Sequence, residues 1–354
     1  MNLSDVFTAR SVAYRYTKDP SRKRSFIGEA FFPKAKKAGI DLQWIKAGKG
    51  KGVMLDPSSF DTLATLRNRE IFNVTKTQMP LFRESMIVSE KDMIEIQRAT
   101  EANDPYLSPV IEEIYNDVDE LLIGAEVAAE AMRMQLLAPR DGNLAINLAT
   151  KANTASYSYK YDADGEWKRT NYLEIKSGST WDKVDAATPL SDIDEAIRVL
   201  KRKSHTPTYI MMNSSTLRLL TTCKQVKDSM VLANGYAINY LDSRTAKEVV
   251  ERMTGLKIII NDDAYVASSE QQFYPDGYAT IIGAEDLGKT WYGVTPEERT
   301  LMGDSKVDVS VIGNGPTVSI QNLYGPPVTH TTTVSQIVLP SFEGMDGEFV
   351  IKVK

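Results

Sequence analysis

The sequence of 354 residues has few of the side chains that most chemical functions need, since it contains one cysteine and two histidines. Cys223 alone cannot form a disulfide framework, and with His205 and His330 it gives no zinc site of recognisable spacing. No apolar run approaches the roughly 20 residues that cross a bilayer. The first residues lack an uninterrupted apolar core, so we expect neither a membrane-spanning segment nor a secretory signal.

Catalytic and nucleotide-binding motifs are also missing. The one place for a phosphate-binding loop is the glycine-rich run at 48–52, which lacks the GxxxxGK[ST] order and its flanking strand and helix. There is no GxSxG motif for a hydrolase. Residues 162–166 start like a calcium loop but lack its later ligands, which favours a simple turn. We therefore predict no catalytic, cofactor-binding or metal site and do not expect an enzyme.

Charge is distributed unevenly along the chain, whose formal net charge is −5. Residues 1–52 hold twelve Lys or Arg and four acidic residues, which gives this segment +8 and leaves −13 for the rest. A basic segment on an acidic body indicates contact with an acidic surface of a neighbour or with nucleic acid, although a solvated basic tail fits equally well. The acidic body argues against a reader of duplex DNA.

The most regular stretch, residues 108–137, predicts one long amphipathic helix. Ser108 is a favourable N-cap, Pro109 suits the first helical position, and Pro139 ends the pattern. Apolar residues recur every three or four positions and form one stripe that includes Ile111, Ile114, Val118, Leu121 and Leu122. Most acidic and amide residues fall outside this stripe, namely Glu113, Asn116, Asp117, Glu120, Glu126 and Glu130. Alone, the stretch fits an ordinary core helix of an α+β protein.

Ahead of this helix the sequence predicts two projecting segments without a core of their own. Residues 1–25 mix charges with isolated apolar residues, which indicates an extended arm with room for one short helix, and Phe26 begins an aromatic anchor. Alternating residues at 41–45 and an extended stretch at 70–77 predict a two-stranded ribbon over 40–80. Such a ribbon is marginal in water and normally needs a partner.

Beyond the helix, a β-rich segment precedes an α/β segment. Alternation at 157–161 and a return at 167–175 predict a hairpin. From Ser191 onward the patterns predict helices at 191–203, 214–220 and 243–254 and buried strands at 208–212, 256–261 and 278–283. A hairpin around Asn314-Gly315 and a final strand at 347–354 complete the prediction.

Several short motifs occur in a fixed order among these elements. They are Phe31-Phe32-Pro33 before Ile40-Asp41-Leu42, the run 176–181 leading to 189–193, the run 273–277 before a strand, Trp291-Tyr292-Gly293, and Gly325-Pro326-Pro327. In this order of motifs and segments the chain resembles the tailed-phage major capsid proteins, and more narrowly the lambda-type major capsid protein E family. The resemblance spans nearly the whole chain, and the shared order makes it specific although each motif is weak alone.

The resemblance implies an α+β chain with the Hong Kong 97-like fold. Its parts would be an N-terminal arm (1–35), an extended β-ribbon loop (36–88), a peripheral domain with the spine helix at 108–137 (89–188), an axial domain (189–318), and C-terminal strands that return to the peripheral domain (319–354). Since neither ribbon nor arm has a core, both are expected to contact neighbouring subunits. The loop tip would use Lys46, Gly48, Lys49, Gly50, Lys51 and Gly52, and the arm Arg22, Lys23, Arg24 and Phe26.

The implied function is self-association into hexamers and pentamers of an icosahedral head shell around double-stranded DNA. The shell would be assembled in the host cytoplasm and belong to the virion, with no cofactor, no sequence-specific DNA binding and no membrane. Expected partners are further copies of the chain, separate scaffold and portal proteins, and a decoration protein. Two alternatives are a two-domain cytoplasmic α/β enzyme or ligand-binding protein, and the shell protein of a non-viral compartment.

Overall fold

The computed structural model describes residues 8–19, 24–45, 74–91, 93–94, 98, 107–149, 156–234, 243–267, 269–283, 286–301, 307–323 and 329–354. Its α-helices, numbered in chain order, are α1 Ala9–Lys18, α2 Leu107–Leu137, α3 Glu166–Asn171, α4 Pro189–Arg202, α5 Ser214–Thr222, α6 Lys224–Asn234 and α7 Ser243–Thr254. No helix within these residues is both long enough and apolar enough to cross a membrane.

The strands are numbered in the same way. They are β1 Lys34–Lys37, β2 Asp41–Ile45, β3 Val74–Gln78, β4 Leu81–Val88, β5 Ala145–Ala149, β6 Ser156–Lys160, β7 Tyr172–Glu174, β8 Pro207–Met212, β9 Lys257–Ile260, β10 Ala264–Val266, β11 Glu270–Gln272, β12 Tyr278–Gly283, β13 Thr290–Gly293, β14 Val307–Val311, β15 Thr317–Leu323, β16 Thr329–Pro340 and β17 Glu348–Lys352.

The chain forms two compact units. The first combines Met1–Leu42, Lys76–Arg133 and Lys289–Ser341. Its sheet has the strand order β1-β13-β16-β15-β14, and β4 pairs with β16 as well. The pair β1–β13 is parallel, whereas the other pairs are antiparallel. Buried residues of α1, α2, β15 and β16 form its main apolar cluster, which includes Val12, Val118, Leu122, Val318 and Val334.

The second unit combines Gln43–Thr75, Met134–Gly288 and Phe342–Lys354. Its main sheet has the strand order β7-β17-β12-β8-β9. The two outer pairs, β7–β17 and β8–β9, are parallel, and the two inner pairs are antiparallel. The core joins one face of this sheet to helices α4 to α7, through residues such as Ile193, Leu220, Val226, Val250, Ile281 and Ile351.

The long helix and the α/β pattern are confirmed. Helix α2 has 31 residues and is therefore about 46 Å long, and it buries Val118, Leu121 and Leu122. The side chains of Ile111 and Ile114 lie outside the described residues. As predicted, the exposed positions of α2 include Glu113, Asn116, Asp117 and Glu120. Helices α4, α5 and α7 and strands β8, β9 and β12 lie where the sequence predicts them, and β14 pairs with β15 as the predicted hairpin.

The predicted hairpin of 157–161 with 167–175 is wrong. Strand β6 pairs instead with the strand before it, β5, in antiparallel register. The segment that follows begins as a helix because Asp162 accepts hydrogen bonds from the backbone N–H groups of Trp167 (3.1 Å) and Lys168 (3.0 Å). A side-chain acceptor at this position satisfies donors that a helix start leaves unpaired. Alternation alone did not reveal this cap.

The segment 319–354, whose strands we predicted to return to the peripheral domain, contributes strands to both sheets. Strands β15 and β16 lie in the first sheet, whereas β17 lies between β12 and β7 in the second. Four successive residues of β17, from Glu348 to Ile351, are buried. A strand buried on both faces belongs inside a covered sheet rather than at an edge. The remaining domain boundaries stay predictions.

One buried group of the second unit is anomalous. Glu348 is fully buried at the start of β17, and neither carboxyl oxygen has a hydrogen-bond partner among the described residues. Burial therefore raises the pKa of Glu348 well above its ordinary value, since desolvation disfavours the charged form. The folded chain then holds a proton that the unfolded chain releases above about pH 4.3. Its contribution to stability is complete below that pH and is lost as the pH rises.

We predict that Glu348→Gln removes this loss. The free energy of unfolding of the variant should equal that of the wild type near pH 4 and should exceed it increasingly toward pH 8. Urea unfolding followed by circular dichroism at several pH values measures the difference. Glu270→Gln, a matched change at an exposed position of β11, should leave the pH dependence unchanged. A stability difference for Glu348→Gln that does not vary with pH would contradict the assignment.

Candidate assembly surface

The first part of the N-terminal arm is a helix that packs on its own subunit. Helix α1 starts with a capping box, in which the Thr8 side chain accepts from the N–H of Ser11 (3.1 Å) and the Ser11 side chain from the N–H of Thr8 (3.0 Å). Tyr16 is buried in the core of the first unit, and the Arg15 guanidinium lies 4.5 Å from the ring centroid of Tyr115 on α2. The one short helix for which the predicted extended arm left room is therefore present, and it packs within the subunit.

A buried polar cluster, here called the arm clasp, follows this helix. It consists of Gly28, Phe32, Glu130, Arg133 and Thr290. The Gly28 N–H donates to Glu130 Oε1 (2.7 Å), and Arg133 Nη1 donates to Glu130 Oε2 (3.0 Å). Arg133 Nε donates to Thr290 Oγ1 (2.8 Å), which donates to the Phe32 carbonyl (2.8 Å). The clasp thereby fixes the backbone of residues 28–32 on the helix α2 and the strand β13.

The charges of the clasp are removed from water. Glu130 and Arg133 are 1% and 0% exposed, respectively. Burial raises the pKa of Glu130, while Arg133 and the Gly28 N–H act in the opposite direction. In such a buried pair each charge depends on its partner, because a lone buried charge is strongly unfavourable. The clasp is therefore a geometrically specific joint between the arm segment and α2.

The sequence pattern sets Glu130 outside the apolar stripe of α2, but the structure buries it. Its i,i+3 spacing to Arg133 puts the two side chains on one helix face. The signal available in the sequence was the apolar character of the last turns of α2 on all sides, which indicates a helix buried all round. In such a segment an acidic residue followed by a basic residue three positions later is expected to form a buried pair.

The described residues include the base of the predicted ribbon. Strand β2 pairs with β3, and the Met79 N–H donates to the Ile40 carbonyl (2.9 Å). The chain enters the ribbon directly after β1 and leaves it directly before β4, and both of these strands belong to the first sheet. The ribbon is therefore attached to the first unit at both of its ends. Residues 46–73 lie outside the described residues.

Large apolar side chains are exposed mainly near these segments. Of the eight such residues among the described part of the chain, five belong to α1, the ribbon base, β4 and the segment after it. This exposed apolar set consists of Tyr14 (65%), Ile40 (39%), Leu81 (46%), Ile87 (64%) and Ile94 (67%). Within the described residues β4 pairs only with β16, so its other edge offers backbone groups for pairing. Exposed apolar residues beside an open edge are typical of a surface that associates with another chain.

The predicted contact residues are only partly described. Arg24 is exposed, and its guanidinium lies 5.5 Å from the ring centroid of Phe26. Phe26 itself is buried at 6% exposure, so its ring anchors the arm within the subunit. Arg22 and Lys23 lie outside the described residues, as do the loop-tip residues Lys46, Gly48, Lys49, Gly50, Lys51 and Gly52. The sequence analysis did not identify the exposed apolar set, although apolar residues on both faces of β4 were a usable signal.

The chain is similar to known proteins in both sequence and fold. A family model described as phage major capsid protein E matches residues 8–312 of the chain. No curated protein matches the chain significantly.

Solved structures share the fold at low sequence identity. A phage-related protein from Bordetella bronchiseptica RB50 has a TM-score of 0.57 at 12% identity, over 98% of this chain and 96% of its own. A candidate capsid protein of a prophage from E. coli CFT073 has a TM-score of 0.59 at 12% identity, over 98% and 99%. The capsid asymmetric unit of cyanophage A-1(L) gives 0.51 at 10% identity, over 93% and 94%. These similarities establish a shared fold.

The geometry of the arm clasp predicts that one methyl group added at Gly28 strongly lowers the free energy of unfolding. In Gly28→Ala the new Cβ would lie 2.7 Å and 2.9 Å from the two carboxyl oxygens of Glu130, so the Gly28–Glu130 hydrogen bond would break. We expect a loss of about 3 kcal/mol in the free energy of unfolding, because the buried carboxylate loses a donor. Urea unfolding measures this loss.

Gly124→Ala is the matched control. Its added Cβ meets open space on an exposed position of α2, and alanine stabilises a helix interior by about 1 kcal/mol relative to glycine. The two substitutions should therefore change stability in opposite directions. Equal effects would show that the clasp does not hold the arm segment.

Proposed function

The chain belongs to the phage major capsid protein E family, and on this premise we propose that it assembles into hexamers and pentamers that close into an icosahedral head around double-stranded DNA. As a major capsid protein it self-assembles into the shell of the virion, in a structural rather than enzymatic role. Assembly in the host cytoplasm, with separate scaffold and portal proteins and a decoration protein as partners, is part of the proposal. No observation favours an enzyme or a non-viral compartment.

The exposed apolar set is the observation that supports association through the first unit. Its five members lie on α1, at the ribbon base, on β4 and just after it, which are segments close to the predicted contact regions. In a closed shell each such surface is repeated in every copy, so modest contacts accumulate. The ribbon and the basic arm residues extend this surface toward neighbouring subunits in our proposal.

Four of the predicted regions keep their proposed roles, with one amendment to the arm. Residues 1–35 are the arm, whose helix α1 and ring of Phe26 pack within the subunit. We assign contact with acidic surfaces to Arg22, Lys23 and Arg24. Residues 36–88 form the loop that reaches a neighbour. We assign ring formation to the axial part, 189–318, and support by the spine helix to the peripheral part, 89–188.

Limited trypsinolysis tests the contact roles. The loop tip offers Lys46, Lys49 and Lys51 among three glycines, and the arm offers Arg22–Arg24. In the free subunit cleavage at both segments should precede cleavage elsewhere, because a protease requires an accessible backbone, and the glycines of the loop tip add backbone freedom there. In the shell both should be cut at least about tenfold more slowly, equivalent to about 1.4 kcal/mol of local opening free energy. Equal rates, with fragments mapped by mass spectrometry, would remove these segments from the contacts.

Ile87→Asp tests the exposed apolar set. Ile87 is 64% exposed on β4, so the substitution should change the free energy of unfolding by less than about 0.5 kcal/mol. Assembly yield should fall at least about tenfold, because a neighbour would have to bury the new charge. Val184→Asp, at a 41% exposed apolar position of the second unit, is the matched control and should assemble normally. Equal yields of both variants in light scattering would place the association surface elsewhere.

A further inference from the structure

The last turns of helix α4 carry three exposed basic residues, Arg198, Lys201 and Arg202. Their spacing of three and four positions places them on one helix face, and they are here called the basic row. None of them forms an ion pair with another described residue, whereas the adjacent Lys203 binds Asp346 at 3.0 Å. The basic row is therefore a concentration of positive charge without an acidic partner in the described part of the chain.

The acidic residues of α4 and its helix dipole do not explain the basic row. Asp194 and Glu195 lie one turn earlier, but Arg198 Nε donates to the backbone carbonyl of Asp194 (3.4 Å) rather than to a carboxylate. The negative end of the helix dipole favours basic residues in the last turn, which accounts for Lys201 and Arg202 but not for Arg198. In addition, Arg198 and Arg202 are like charges at i,i+4, an arrangement that destabilises an isolated helix.

Helix α2 carries the opposite charge in a similar arrangement. Glu113, Asp117 and Glu120 are exposed, and their spacing at i, i+4 and i+7 places them on one face, here called the acidic row. Glu126, further along the helix, binds Lys34 at 2.8 Å, but no residue of the acidic row forms an ion pair with another described residue. Glu113 and Asp117 also repel each other at i,i+4. Both rows would therefore gain from an opposite charge that the described residues of one copy do not supply.

The two rows match in charge and in length. At 1.5 Å per residue the acidic row spans about 10 Å along α2 and the basic row about 6 Å along α4, and the long lysine and arginine side chains extend the reach of the shorter row. We propose that the basic row of one copy contacts the acidic row of a second copy. Such a contact joins two different surfaces, which is the type of interface from which rings are built. It rests on the function proposed above and adds a named contact between neighbouring copies.

A second copy fits the basic row better than DNA does. Beyond residue 52 the chain carries a net charge of −13, which repels a phosphate backbone and attracts a basic surface. Three cations also provide fewer contacts than the roughly six to ten phosphates that make DNA binding strongly salt-dependent. Exposed charge pairs raise the rate and the specificity of association more than its affinity. The rows should therefore act early in assembly, when copies select their orientation.

Charge reversal of each row tests this contact through the assembly rate in light scattering. The basic-row variant is Arg198→Glu, Lys201→Glu and Arg202→Glu, and the acidic-row variant is Glu113→Lys, Asp117→Lys and Glu120→Lys. At low salt each variant alone should assemble at least about tenfold more slowly than the wild type, because like charges then meet at the contact. The difference should shrink at about 1 M salt, where charges are screened beyond about 3 Å.

An equimolar mixture of the two variants is the decisive arm of this experiment. In the mixture each reversed row meets a row of opposite charge on the other variant, so the assembly rate should return to within about threefold of the wild type. Native mass spectrometry should show equal amounts of both variants in the oligomers, which also establishes that both are folded. A mixture that assembles as slowly as either variant alone would overturn the proposal.

A neutral variant keeps the test decisive if a reversed variant does not fold. Arg198→Gln, Lys201→Gln and Arg202→Gln together should leave the circular dichroism spectrum unchanged, because the three positions are exposed, and should still slow assembly at low salt. An unchanged assembly rate of this folded variant would also overturn the proposal.

A reversal elsewhere in the second unit is the matched control. Arg218→Glu, Lys224→Glu and Lys227→Glu together make the same change of net charge at exposed positions of α5 and α6. This variant should assemble like the wild type. Equal slowing would show that net charge rather than the two rows sets the rate, and would overturn the proposal.

DNA binding and wild-type assembly separate the remaining outcomes. Normal assembly of the basic-row variant together with weakened binding of a random duplex, measured by fluorescence anisotropy, would assign the basic row to DNA and overturn the proposal. Wild-type shells with unaffected variants would overturn this contact alone. A wild type that never associates would contradict the function proposed above and this contact with it.

Discussion

The buried pair of Glu130 and Arg133 is the interaction on which the arrangement of the first unit depends. It lies on α2 and holds the chain at Gly28 on one side and Thr290 of β13 on the other. From these two points the arm leads back to α1, and β1 leads forward to the ribbon. A pair of apolar residues could fill the same volume, but it could not select one backbone N–H and one hydroxyl. We infer that specificity of attachment, rather than stability, explains charges at this site.

The buried cores of the subunit are distinct from the surfaces that stay exposed for contact with neighbouring subunits. The buried residues of α1, α2 and the first sheet form one cluster, and those of α4 to α7 and the second sheet form another. The exposed apolar set and the open edge of β4 lie outside both. A shell protein needs this division, because the subunit must stay soluble before assembly and still have surface to bury afterwards.

Much of the fold could be predicted from the sequence, because the spacing of apolar residues and the residues typical of turns are local features of the chain. The apolar stripe of the long helix, the helices and strands from Pro189 to Gly283, and the turn at Asn314-Gly315 are local patterns, and the structure has them. The bond from Gly28 to Glu130 could not be predicted, since the two residues are 102 positions apart and become neighbours only in the folded chain.

Whether the purified chain assembles is the most direct test of the account. Negative-stain electron microscopy, supported by sedimentation, distinguishes a shell-forming subunit from a protein whose exposed surfaces have no partner. The account predicts closed shells, or tubes and rings built from the same capsomers, once salt, crowding and a scaffold protein are varied. Compact particles of a single chain under every one of these conditions would contradict it.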